Sequence, residues 1–98
     1  MTPEISERLA NRNIQLLSET NRHCLFARDG CIALVERSSD GLGSIGSTGL
    51  MTENGLAYLV SRDGRAVLAG KGGETPAAPE QIDAIRKFSE DLKAALGA

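Results

Sequence analysis

Two Asp-Gly pairs, each lying between two apolar runs, constrain the fold of this sequence more than any other feature. Asp29-Gly30 separates His-Cys-Leu-Phe-Ala-Arg from Cys-Ile-Ala-Leu-Val-Glu, and Asp63-Gly64 separates Leu-Ala-Tyr-Leu-Val-Ser-Arg from Arg-Ala-Val-Leu-Ala. Glycine adopts positive φ without a steric penalty, so Asp-Gly in this setting predicts a β-hairpin with a two-residue turn. The same hairpin is therefore expected twice, as part of an antiparallel sheet.

The segment between the hairpins, residues 38–55, is rich in glycine and serine. We predict a fifth strand over Gly46–Met51, followed by a turn that ends at Asn54-Gly55, because Asn-Gly is another hairpin signal. Residues 38–44 are predicted to form a loop. The glycines at 70–73 are expected to end the sheet, and residues 75–79, with two prolines, are predicted to form a short rigid linker.

Helical spacing of apolar residues is found at both ends of the chain. The first helix is predicted over Pro3–Thr20, with Thr2 as N-cap and Pro3 in the first turn, where its missing N–H costs nothing. Ile14 lies off the apolar stripe of that helix. The second helix is predicted to begin at Pro79 and to end near Leu96, with Gly97 stopping it.

These elements predict a single α+β domain over residues 1–98. Its antiparallel meander sheet has four to five strands and is flanked by an N-terminal and a C-terminal helix, in a two-layer or a helix-sheet-helix arrangement. A chain of 98 residues is one domain's length.

The first hairpin is apolar on both faces if its turn has two residues. Side chains alternate along a strand, so one face carries Cys24, Phe26, Ala33 and Val35 and the other carries Leu25, Ala27, Ile32 and Leu34. Two helices on the same side would leave the other side as an apolar patch, which is typical of a partner surface. We take Cys24, Phe26, Ala33 and Val35 as the candidate interface of a homodimer or of a complex with another protein.

A candidate site for a small molecule or an anion lies in the glycine- and serine-rich segment. Gly41-Leu-Gly43-Ser-Ile-Gly46 matches G-x-G-x-x-G, but no helical pattern follows it and the chain is too short for a βαβ dinucleotide fold. A bulged or flexible loop is the simpler interpretation. The alternative is an anion-binding loop over residues 41–49. Its candidate ligands are Gly41, Gly43, Ser44, Gly46 and Ser47.

Three arginines at the hairpin ends, Arg28, Arg62 and Arg65, would add a basic cluster if both turns lay at the same edge of the sheet. Such a cluster could bind a carboxylate or a phosphate. The simpler interpretation is a pair of solvated turns in which Asp29 and Asp63 balance the charge.

No complete set of catalytic residues is recognisable. One histidine, His23, and two cysteines, Cys24 and Cys31, are too few for a histidine-rich metal site or a disulfide framework. We therefore expect no metal and no cofactor. Cys31 lies beside Arg28, which could lower the pKa of its thiol. A thiol-dependent enzyme at Cys31 remains an alternative.

Charge and composition argue against two classes of partner. The net charge is −2 and only three residues are aromatic, whereas nucleic-acid modules usually carry a basic face. No apolar run approaches the ~18–20 residues of a membrane span. The N-terminus lacks a signal-peptide pattern, so a cytoplasmic location is expected.

The sequence therefore favours a small, non-catalytic protein-interaction or adaptor module that acts as a homodimer. The first alternative is a sensor that binds a small molecule or an anion through residues 41–49. The second is the thiol-dependent enzyme at Cys31.

Overall fold

The computed structural model describes residues 2–38 and 41–97. Over these residues the chain forms two helices and one sheet of seven antiparallel strands, each paired with the next along the chain. The elements are α1 (Pro3–Asn11), β1 (Gln15–Glu19), β2 (His23–Arg28), β3 (Cys31–Ser38), β4 (Gly41–Thr52), β5 (Gly55–Arg62), β6 (Arg65–Gly70), β7 (Gly73–Pro76) and α2 (Pro79–Leu96). The α+β class is confirmed, and so is an antiparallel sheet with one helix before it and one after it along the chain. The predicted number of strands was too low.

Both Asp-Gly hairpins form with the predicted two-residue turns. Asp29 and Gly30 have φ values of 50° and 83°, and Asp63 and Gly64 have 52° and 78°. Positive φ at both central residues is the type I′ geometry, whose twist matches that of the flanking strands. The two-residue turn sets the register of β2 and β3, in which Phe26 lies opposite Ala33.

The N-terminal helix is much shorter than predicted, because α1 ends at Asn11. The chain turns at Asn13, where φ is 59°, and continues as β1 along β2. Ile14, which did not fit the helical stripe, lies in the core at 5% exposure. Pairing with β2 therefore outweighs the helical spacing of Leu16 and Leu17, whose side chains remain 40% and 44% exposed.

The predicted loop over residues 38–44 was wrong for its described part, since Ser38 ends β3 and residues 41–44 begin β4; residues 39 and 40 lie outside the described residues. Strand β4 is also longer than the predicted Gly46–Met51. Its pairing with β3 shifts twice, between Ala33 and Val35 and between Val35 and Arg37. At each shift β4 contributes one extra residue, which defines a β-bulge and bends the strand.

The predicted linker after the sheet is in part a seventh strand. β7 pairs with β6, with Thr75 opposite Leu68 and Pro76 opposite Val67. Proline is tolerated here because β7 is an edge strand, where a missing N–H can face solvent.

Helix α2 has the predicted bounds, and Gly97 ends it in the left-handed conformation at φ 79°. Both helices pack on the same side of the sheet, since α1 and α2 contact each other and α2 contacts β3 and β4. Their apolar side chains join those of the strands in one core, whose largest fully buried members are Phe26, Phe88, Ile85, Leu92 and Val35. The arrangement is therefore two-layered rather than helix-sheet-helix.

Candidate functional site

The four residues predicted to form an interface lie in the core instead. Cys24, Phe26, Ala33 and Val35 are at most 1% exposed, and they pack in one cluster with residues of both helices. A partner cannot reach these side chains in the folded chain. The predicted interface is therefore corrected: α1 and α2 cover this side of the sheet, which we call the covered face.

The opposite side of the sheet, which we call the open face, is apolar as well. Strand register places one set of side chains on this face, because residues paired across strands point the same way and alternate along each strand. Its apolar members are Leu25, Ala27, Ile32, Leu34, Met51, Leu56, Tyr58, Val60, Val67 and Ala69. Ile32 is fully buried, Met51 is 50% exposed, and the others are partly exposed. Neither helix covers this face in the described part of the chain.

The charged side chains of the open face lie at its margins. His23 is opposite Glu36 at one end of the first hairpin. Arg62 is opposite Arg65 at the end of the second, and its Nε lies 2.9 Å from Oε2 of Glu74 on the edge strand β7. Over the described residues the centre of the face therefore carries no charged side chain, as in the core of a protein–protein interface.

The chain exposes more surface than is expected of a compact globule of its mass. A folded chain of 10.3 kDa is expected to expose about 5,400 Å², and this chain exposes 6385 Å². The excess is about 1,000 Å², which slightly exceeds the ~800 Å² that each partner buries in an interface of standard size.

Part of the predicted ligand site lines a cleft between β4 and α2, which we call the β4–α2 cleft. Its volume is about 410 Å³. Gly43, Ser44 and Gly46 contribute to it, whereas Gly41 and Ser47 do not. Ser89 and Lys93 of α2 also line it, and neither was among the residues predicted for the ligand site. Helical spacing showed that these two residues lie on neighbouring turns of α2, but nothing in the sequence showed that this side of α2 faces β4.

The predicted arginine cluster does not form. Successive strands of a meander run in opposite directions, so the turn after β2 and the turn after β5 lie at opposite ends of the sheet. Arg28 is therefore separated from Arg62 and Arg65 by the length of a strand.

Arg28 instead holds the two layers together. Its Nη1 lies 2.9 Å from Oδ2 of Asp91 and donates to the carbonyl of Arg12 at 3.3 Å. Its guanidinium also lies 5.5 Å from the centre of the Phe88 ring, within range of a cation–π interaction. These contacts connect β2 to α2 and to the end of α1, which gives Arg28 a structural role.

Neither cysteine lies in an environment that activates a thiol. Both are unpaired and buried. Burial is the main cause that raises the pKa of the Cys31 thiol; Arg28 lowers that pKa in part and Asp29 raises it further. Burial and the carboxylate of Glu19 raise the pKa of Cys24. Because the thiolate is the nucleophile, this geometry gives no support to a thiol enzyme at Cys31.

Two further searches cover the described residues alone. In residues 2–38 and 41–97, no group of three or more His, Cys, Asp or Glu side chains could hold a metal ion. No helix in the same residues is long and apolar enough to span a membrane.

No protein-family model, curated protein or solved structure matches this chain. Its function therefore has to be argued from the open face and the clefts.

Proposed function

We propose that this protein is a non-catalytic protein-interaction module that acts as a homodimer, and that its open face is the dimer interface. One observation carries the proposal: the sheet has an apolar, centrally uncharged face that neither helix covers. A contiguous exposed apolar face is costly in water and is typical of a surface that a partner covers.

A second copy of the chain fits this face better than a charged partner would. In a two-fold dimer each patch packs against the same patch of the other copy, so an uncharged centre meets an uncharged centre. Two sheets that pack face to face place their inner side chains in one shared core about 10 Å thick. The excess surface of about 1,000 Å² per chain is comparable with the ~800 Å² that each partner buries in a standard interface.

The test is a concentration series in native mass spectrometry and light scattering. We expect the native chain to be a dimer at micromolar concentration. The double variant V60E/V67K introduces two charges at the interface, but residues 60 and 67 lie opposite each other on β5 and β6. The new charges can therefore pair within one chain, which limits their effect on the fold. This variant should be monomeric.

The matched control is S61E/A66K, which introduces the same two charges on the same hairpin. Ser61 and Ala66 are also directly opposite each other, but their side chains point to the other side of the sheet. This control should remain dimeric, and circular dichroism should show all three proteins folded. A native chain that stays monomeric at high micromolar concentration would overturn the proposal. A V60E/V67K variant that dimerises like the native chain would do the same.

A further inference from the structure

The β4–α2 cleft lies on the covered side of the sheet, away from the open face. The described residues that line it include three that carry a hydroxyl group, Ser44, Thr48 and Ser89, and one cation, Lys93. Ile45 and Leu96 provide its apolar lining. At about 410 Å³ the cleft is in the size range of small-molecule sites.

The two β-bulges of β4 shape one wall of this cleft. The pair Gly43 and Ser44 lies opposite the single residue Glu36, and the pair Gly46 and Ser47 lies opposite Leu34. A bulge leaves one residue outside the hydrogen-bond ladder and redirects its neighbours. The backbone of β4 is therefore irregular between Gly43 and Ser47, where Ser44, Ile45 and Gly46 line the cleft.

Among the described residues, one cation and no carboxylate line the cleft. The ion pairs that α2 makes within residues 2–38 and 41–97 use Asp83, Arg86, Glu90 and Asp91 rather than Lys93. A second cleft, at the other end of the sheet, contains Arg12, Arg28 and Lys87 together with Asp29 and Asp91. Its cations lie beside carboxylates, and Arg28 already pairs with Asp91. The β4–α2 cleft is therefore the more suitable of the two for an anion.

We propose that the β4–α2 cleft binds a small carboxylate with a short apolar body. The carboxylate accepts hydrogen bonds from Lys93 and from the hydroxyl groups of Ser44, Thr48 and Ser89, and the apolar body packs against Ile45 and Leu96. A charged hydrogen bond fixes the orientation of the ligand, and the apolar contact adds affinity. This site is separate from the proposed dimer interface and does not depend on it.

The test is a titration of the ¹⁵N-labelled protein with hexanoate, followed by the shifts of its backbone amides. We expect saturable shifts at Ser44, Gly46 and Ser89. Acetate lacks the apolar body, hexan-1-ol lacks the charge, and inorganic phosphate supplies an anion of another class. Each of these three should bind more weakly than hexanoate.

Two lysine variants complete the test. K93M should weaken hexanoate binding about two- to fivefold, the loss expected for one exposed charge pair. K87M removes a lysine from the same helix at the other cleft and should leave the affinity unchanged. The proposal fails if hexanoate causes no saturable shifts at Ser44, Gly46 and Ser89. It also fails if K93M binds like the native chain, or if K87M loses as much affinity as K93M.

Discussion

The two faces of the first hairpin have nearly the same composition and very different surroundings. Phe26 on the covered face is fully buried under the helices, whereas its neighbour Leu25 on the open face remains partly exposed. Because side chains alternate along a strand, an unbroken apolar run places apolar residues on both faces. In residues 2–38 and 41–97, the helices cover only one of them. The difference shows that the sequence encodes more apolar sheet surface than its own helices cover.

The largest expected effect comes from truncating these two neighbours. Phe26→Ala should lower the free energy of unfolding by about 3–5 kcal/mol, because it leaves a cavity among Phe88, Ile85 and other core side chains. Leu25→Ala should cost about 1–2 kcal/mol in dilute, monomeric protein, since its side chain is still partly solvated. Urea unfolding measures both values.

The stability costs of the same two variants can also be compared at high protein concentration. If the open face is a dimer interface, Leu25 becomes buried at high concentration, and the cost of Leu25→Ala should rise toward that of a core substitution. The cost of Phe26→Ala is already that of a core residue and should rise less. Equal costs for both variants in dilute protein would contradict the distinction between the two faces.

A smaller effect is expected where the sheet itself is tightly packed. A Cβ atom at Gly49 would overlap the carbonyl oxygen of Ala57 on β5, whereas one at Gly43 would meet its nearest neighbour at 3.5 Å. Gly49→Ala should therefore cost about 1–3 kcal/mol, as overpacking does, and Gly43→Ala should cost less than about 1 kcal/mol. Thermal unfolding compares them directly. A Gly43→Ala variant that is the less stable of the two would contradict this assignment.

Local patterns predicted the hairpins and α2, because their signals lie within a few residues of one another. Asp29-Gly30 sets its own turn and register, and the apolar spacing from Ile82 to Leu96 defines one helix. The bounds of β4 could not be predicted in this way. Its bulges depend on pairing with β3, and its glycines look like those of a flexible loop until that pairing is known.

The side of the sheet that the helices cover could not be predicted either. The face of Phe26 and the face of Leu25 are equally apolar in the sequence, so the residues predicted to form an interface were those that the helices cover. The β4–α2 cleft was only half predicted for a similar reason. Gly43 and Ser44 had a local pattern, whereas Ser89 and Lys93 are more than forty residues away along the chain.

The smallest effect is a pH dependence of stability that comes from the two buried thiols of the covered face. Cys24 and Cys31 both lie on the covered face, where burial raises the pKa of each thiol above its ordinary value. As the pH rises, the thiols of the unfolded chain therefore ionise first. The thiol contribution to the free energy of unfolding should be constant below about pH 8 and should fall above about pH 9.

Urea unfolding between pH 7 and pH 10 measures this slope. The double variant C24A/C31A lacks both thiols and keeps every other side chain of the native sequence. It should therefore lose stability less steeply than the native chain above pH 9. Alkylation adds a kinetic measurement, since thiols buried under α1 and α2 should react slowly in the folded chain and rapidly once it is unfolded. Equal slopes in both proteins, together with rapid alkylation of the folded chain, would mean that the helices leave the face of Phe26 accessible to solvent.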